Sequence, residues 1–276
     1  MKIAIIIPGP IRSFANNYES LLKYIILPIE EKYGKGSVKI FMDYFTVTKE
    51  FYEKEYDKNM FNTKMEIDAE GYQEILDNSE YIAYKNSYVF KDDYVENIFN
   101  EINKENNSNY DCYELKNYNK ELYKNQDAKG FKFKNYYVFM QGIIMNYNNK
   151  QLLEKVPDDY DIIIKYRADA KLLKFFPFSF LDKIEDNTIY LPIASGGRWD
   201  TFFVATANSM RNLYKNYYSE CITLIDTYKK NDKFEAEDML IKLIKLTGNK
   251  LEKLNYFQND HWNCKRNLIN NKYKCS

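Results

Sequence analysis

Three short segments carry polar side chains directly after apolar runs, the place from which an open α/β sheet presents groups to a ligand. The first, Pro8-Gly9-Pro10-Ile11-Arg12-Ser13, follows the run Ile3-Ala4-Ile5-Ile6-Ile7. Its constrained backbone offers amides, and Arg12 a guanidinium, to an anion. Taken alone, the segment is better explained as an ordinary strand-to-helix turn. The second, Arg167-Ala168-Asp169, ends the run Ile162-Ile163-Ile164-Lys165-Tyr166. Strand alternation sends Arg167 and Asp169 to the same side. A carboxylate there is a suitable hard oxygen ligand for Mg²⁺ or Mn²⁺ bridging a diphosphate, with the arginine neutralising remaining charge. A strand-end salt bridge explains this pair equally well.

The third segment is Gly196-Gly197-Arg198-Trp199-Asp200, between two expected strands. Paired glycines let a backbone turn sharply or approach a ligand, leaving Asp200 and Trp199 to face an acceptor. A hairpin with a capped aspartate is the plainer account of the glycines. Further on, Glu235, Glu237 and Asp238 open an apolar helix, where acidic residues complement the helix dipole. Solvated capping is the default there, and the functional alternative makes Glu237 a general base toward a hydroxyl. His261, the single histidine, sits beside Asp260 in a polar tail. As a functional group it completes a metal shell or meets a phosphate; a surface position without function is the plainer reading.

The elements that must position these groups follow from periodicity. Ile3–Ile7 reads as a central parallel strand covered on both faces. Phe14, Tyr18, Leu21, Leu22, Ile25, Ile26 and Ile29 recur at helical spacing, with Pro28 expected to kink or end that helix. Strands are expected at Val38–Phe45, Asp161–Tyr166, Thr188–Leu191 and Thr201–Ala205, and a weak one at Leu251–Phe257. A helix through Met140, Ile143, Ile144 and Tyr147 ends before Pro157. Two long helices follow Met210, with Gly248 as the stop of the second. Between Lys49 and Lys134 the chain is polar and rich in Tyr and Asn, with short helices expected at 69–78 and 88–104.

Composition sets the outer bounds. The chain has 276 residues, 45% of them hydrophobic, enough for one large α/β domain. Its 40 basic residues cancel its 40 acidic ones, so no global field draws it to nucleic acid or anionic lipid. The 27 Tyr and 18 Phe are read as bulk composition rather than as aromatic recognition. Cys112, Cys221, Cys264 and Cys275 are scattered without a C-x-x-C, as expected of free thiols in a reducing compartment. The first apolar run is too short for a signal peptide and no later run spans a bilayer. A cytoplasmic protein without a transmembrane segment is expected, with its oligomeric state open. Neither an internal repeat nor a linker divides the chain, so residues 1–276 are expected to form a single domain.

Taken in order, the motifs resemble those of small GT-A-type glycosyltransferases of large DNA viruses and bacterial polysaccharide clusters. Ile5-Ile6-Ile7-Pro8-Gly9-Pro10-Ile11-Arg12-Ser13-Phe14 is similar to their opening strand and loop, with a Pro in place of a usual small or polar residue. Tyr160-Asp161 through Arg167-Ala168-Asp169 is similar to their central motif, an R-x-D where other GT-A enzymes carry D-x-D. Asp200-Thr201-Phe202-Phe203-Val204-Ala205 through Met210, then Glu237 with Leu240, matches the later pattern. The resemblance covers roughly residues 1–45 and 135–250, leaving about 49–134 as a mainly helical insertion.

The resemblance implies a Rossmann-like α/β domain with a mostly parallel sheet, and a nucleotide-diphosphate sugar donor, UDP favoured, for a glycan or protein acceptor. It implies Mn²⁺ or Mg²⁺ held by Asp169, and His261 remains the residue-based candidate to complete that shell. Arg167, Arg12, Pro8 and Gly9 would meet the diphosphate, Asp43 the ribose or base, and Asp200 and Glu237 the sugar and acceptor. If the chain is viral, its compartment is the host cytoplasm. A different nucleotide-dependent α/β transferase or hydrolase is the alternative, although the chain has no G-x-G-x-x-G, Walker or G-x-S-x-G motif. A non-catalytic sugar-binding module is a third.

Overall fold

The structure is a computed structural model. It describes residues 1–11, 14–47, 69–90, 93–111, 134–168, 170–172, 178–192, 202–230, 236–254 and 262–263.

The first apolar run forms β1 (Ile3–Pro10), buried along nearly its whole length. It leads into α1 (Phe14–Leu21), a π turn (Leu22–Ile26) and α2 (Leu27–Tyr33). Pro28 does not end the helix. The Leu27 N–H reaches back five residues to the Leu22 carbonyl, and the widened turn absorbs the proline that lacks an N–H. There follow β2 (Val38–Val47), α3 (Ala69–Asn78), β3 (Ile82–Phe90), α4 (Asp93–Asn106) and α5 (Lys134–Leu153). The interval read from sequence as a mainly helical insertion thus also supplies a sheet strand, β3, where the helix expected at 88–104 begins only at Asp93.

The second half contains β4 (Ile162–Tyr166), β5 (Lys171–Leu172), a 3₁₀ turn (Phe178–Lys183), β6 (Thr188–Pro192) and β7 (Phe202–Thr206). It ends with α6 (Ala207–Tyr214), α7 (Tyr217–Lys230), α8 (Ala236–Leu246), β8 (Lys250–Leu254) and β9 (Trp262–Asn263). The long helix expected after Met210 is interrupted at Lys215-Asn216 into α6 and α7. Gly248, at φ +72°, follows α8 as the expected stop.

Among the described residues, seven strands form one sheet in the order β3-β2-β1-β4-β7-β6-β8, and β5 pairs with β9 separately. All neighbours in the large sheet are parallel except β7, which runs against both β4 and β6. The fold is α/β, with helices on both faces. Ala4, Ile6, Phe41, Ile163 and Phe203 pack on a first face with side chains of α4 to α8, such as Phe99, Ile143, Leu213, Leu224 and Leu240. Ile5, Ile7, Met42, Ile164 and Val204 pack on the second face with Phe14, Ile25, Ile29 and Leu76. Alternation of period two puts both sets on the same strands, which explains why β1 and β4 read as unbroken apolar runs. No described helix is long and apolar enough to cross a membrane.

One half-buried carboxyl stands out in this helical layer. Glu220, in the first turn of α7, has an Oε2 that is buried without a hydrogen-bond partner among the described residues. Burial pushes its carboxyl up to about 7. The folded value lies above the unfolded one, so this group lowers stability as pH rises from the ordinary glutamate range to about 7. Glu220→Gln is expected to flatten that part of the stability profile and to raise the urea midpoint at pH 8. Urea titrations at several pH values measure both effects.

Candidate active site

The strand order reverses direction at β1, which has β2 on one side and β4 on the other. The crevice above such a reversal, at the carboxyl ends of the strands, is where α/β sheets bind ligands. Here the crevice arises from unequal strand lengths. β2 stays paired with β1 as far as Pro10, whereas β4 pairs only to the Ile6–Lys165 register. Backbone bonds fix which way each residue of β1 faces. Ile3 and Ile11 donate toward β2, to Ser37 O at 2.7 Å and Phe45 O at 3.3 Å, while Lys2 O accepts from Asp161 N on the β4 side at 2.8 Å. The even-numbered residues therefore face β4, and the prolines at 8 and 10 fall where β4 has already ended. Their missing N–H groups cost no ladder bond. Between them Gly9 adopts φ +100°, and a Cβ built there meets nothing within 4 Å. This backbone favours glycine and leaves open space at the rim.

Arg167 emerges at the end of β4, half-buried, on the far side of this gap. The turn it opens is held tightly. Ala170 N donates to Arg167 O at 2.9 Å, and the Tyr166 hydroxyl donates to Ala170 O. Buried Asn17, from α1, donates its Nδ2 to Ala168 O at 3.1 Å. The residues on either side of Asp169 are both buried and fastened, one of them to the helix that follows β1. The sequence carried no signal of Asn17's role, since a lone Asn in a helix is uninformative.

Asp43 lies level with Pro8 across the β1–β2 pair and with Asn86 on β3. Asn86 Nδ2 donates to Asp43 Oδ1 at 3.0 Å. Burial raises the Asp43 carboxyl above its ordinary value, opposed by the Asn86 hydrogen bond and the charge of Lys155. Next to it, Phe45 and Tyr88 lie 5.5 Å apart, and Tyr88 stacks on Tyr94 at 5.2 Å. The Tyr94 hydroxyl donates to Asn148 Oδ1 at 2.5 Å. This aromatic and amide wall beside Asp43 was not anticipated, because it depends on the register of β3.

Glu237 lies in the first turn of α8. That helix runs into β8, which is parallel to β6 and hence to β4 and β1. Its first turn therefore lies toward the carboxyl ends of the strands, the same end as the crevice. Arg12, Asp169, Gly196 to Asp200 and His261 lie outside the described residues. Their described neighbours are informative. Phe202, two residues after Asp200, pairs with Tyr166 at the end of β4. Trp262, directly after His261, pairs with Leu172, three residues after Asp169. Among the described residues no group of three or more His, Cys, Asp or Glu side chains could hold a metal.

No protein-family model matches the sequence, and no curated protein matches it either. Solved structures resemble the fold, among them the following two. Mouse xyloside xylosyltransferase 1, in its apo form, aligns at 12% identity and TM-score 0.37 over 92% of this chain and 84% of its own. The galactosyltransferase LgtC, in complex with donor and acceptor sugar analogs, aligns at 10% identity and TM-score 0.41 over 92% of this chain and 73% of its own. Both neighbours are glycosyltransferases; at this level of likeness they carry no argument about activity.

Two outcomes follow from the rim geometry. Asn17→Ala leaves the buried Ala168 carbonyl without its donor and should cost about 1–3 kcal/mol of unfolding free energy, measured in urea. Asp43 has a folded-state value above the unfolded one, so its ionisation costs stability once the pH exceeds the unfolded value. Asp43→Asn is expected to raise the urea midpoint at pH 7, and the gain should vanish as the pH falls below the ordinary carboxylate range.

Proposed function

We propose that this chain is a glycosyltransferase that moves a sugar from a nucleotide-diphosphate sugar, UDP favoured, to a glycan or protein acceptor in the cytoplasm. The observation that carries the reading is the crevice where β1 outruns β4. It is rimmed by Pro8-Gly9 on one strand and Arg167 on the next, with Asp43 level with Pro8. An open rim with a guanidinium and a glycine backbone suits a diphosphate. The half-buried acceptor of Asp43 suits the hydroxyls of a ribose or the N–H of a base.

Asp169 and His261 are the residues that would hold a divalent cation, Mn²⁺ or Mg²⁺. The β5–β9 pairing supports this, since Leu172 and Trp262 are opposite one another, three residues after Asp169 and one after His261. A carboxylate oxygen with an imidazole nitrogen is a donor set that such ions accept. When bound, the cation supplies charge stabilisation at the leaving diphosphate. Arg167 and Arg12 share that work from the protein side, by neutralising charge that grows on the leaving diphosphate as the bond from the sugar's anomeric carbon to the phosphate oxygen breaks and the bond to the acceptor oxygen forms. Asp200 is assigned to orient the sugar and the acceptor. Glu237 is assigned to take the proton of the attacking hydroxyl, and the helix start it occupies faces the crevice end of the sheet.

Purified protein incubated with UDP-, GDP- and dTDP-sugars and Mn²⁺ should hydrolyse or transfer from at least one of these donors. Asp169→Ala should lower kcat by a factor on the order of 10²–10³ while its urea midpoint stays near wild type. Full activity in that variant, or inactivity of the wild type toward every donor, would contradict the reading.

A further inference from the structure

Asn17 is a polar side chain in an apolar setting. It is 4% exposed, on α1, in the second-face layer that also holds Phe14, Leu21, Ala168, Ala170 and Leu172. Packing alone favours an aliphatic residue there. The amide instead donates to a carbonyl, from Nδ2 to Ala168 O at 3.1 Å. A carbonyl only accepts, so the nitrogen of the amide must face it.

That carbonyl has a particular place in the chain. The bond from Ala170 N to Arg167 O, 2.9 Å long, closes a four-residue turn whose central peptide joins Ala168 to Asp169. The central peptide of such a turn takes one of two orientations related by a flip, and the choice decides the backbone angles of the third residue, here Asp169. Asn17 bonds to the oxygen of that very peptide and so holds one orientation against the other. The Tyr166 hydroxyl donates to Ala170 O and holds the far end of the turn. The helix that carries Asn17 also continues the loop after β1, and at its start Phe14 N donates to Ile11 O at 3.1 Å. One helix therefore ties the rim bearing Gly9 to the peptide in front of Asp169.

We propose that Asn17 is a positioning residue: by fixing the Ala168–Asp169 peptide it sets the direction in which the Asp169 carboxylate points, with Tyr166 acting from the other end of the turn. The consequence for a divalent cation rests on the sugar-transfer reading, in which Asp169 holds that cation; the locking of the peptide does not.

The test compares three variants. Asn17→Leu keeps the size of the side chain and removes the donor, and Tyr166→Phe removes only a hydroxyl. Asn146→Leu is the control, a buried amide of α5 that bonds to Gly142 O and the Tyr214 hydroxyl and not to the turn. Mn²⁺ affinity in the presence of UDP is read by electron paramagnetic resonance, and amide hydrogen exchange is followed at Ala170. Asn17→Leu and Tyr166→Phe should each weaken Mn²⁺ on the order of 10- to 100-fold and speed exchange at Ala170 by about tenfold or more. Asn146→Leu should change either quantity less than about twofold although it also lowers the urea midpoint. Added to Asp169→Asn, Asn17→Leu should weaken Mn²⁺ no further than Asp169→Asn alone. Unchanged Mn²⁺ affinity in both turn variants, an equal loss in Asn146→Leu, or a further loss on top of Asp169→Asn would overturn the proposal. If Asn17→Leu does not fold, Tyr166→Phe decides by the same outcomes. A wild type that binds no Mn²⁺ while both turn variants exchange faster at Ala170 would remove the metal assignment and leave the lock. Donor turnover with exchange and Mn²⁺ affinity unchanged in both would keep the transferase and remove the lock.

Discussion

The interaction on which this molecule depends is the parallel pairing of β1 with two neighbours of different length. Below Ile6, β1 is held on both sides and buried on both faces. Above it, β1 continues along β2 alone. A strand whose outward amides have lost a partner must end, be covered, or dispense with those amides. Prolines at positions 8 and 10 take the third course, since both face the side that β4 has vacated. The crevice is therefore a consequence of backbone hydrogen bonding before any side chain is considered, and Pro8, Gly9 and Arg167 lie at its rim.

That arrangement also explains where the polar residues of the interior are. The rim has to be rigid to present groups on a gap, and the rigidity comes from buried amides and hydroxyls. Asn17 ties the second-face helix to the β4 turn, and Tyr166 ties that turn to itself. On the other side Asn86 steadies Asp43, and the stacked Tyr88 and Tyr94 lean on Asn148 of α5. Asn17 and Asn148 are buried and bonded to partners on other elements, so those elements are locked in register as well as packed.

Much of the scaffold was legible in the sequence because full burial makes a strand an uninterrupted apolar run. Ile3–Ile7 and Ile162–Tyr166 announced β1 and β4, and Arg167 following the second run marked the rim. The glycine and prolines after Ile7 were readable as a turn, though not as a strand that persists to Pro10. What was hidden depended on pairing. β3 is an edge strand with exposed Ala83, Lys85, Asn86 and Ser87, so it lacks the apolar signature, and its last residues fall within the helix expected at 88–104. Asn17, Asn86, Tyr94 and Asn148 are ordinary residues until the register brings them opposite a carbonyl or carboxylate. The antiparallel course of β7 was equally silent, and it is what brings the start of that strand, at Phe202, to the end of β4.

The central claim is that a nucleotide diphosphate and a divalent cation meet in the crevice above β1 and β4, with the cation on Asp169. Crystals soaked with Mn²⁺ and UDP, measured at the manganese edge, address it directly. An anomalous peak touching both Asp169 and the diphosphate, beside Gly9 and Arg167, is the predicted result. Nucleotide bound elsewhere on the sheet, or manganese with no contact to Asp169, would contradict the account.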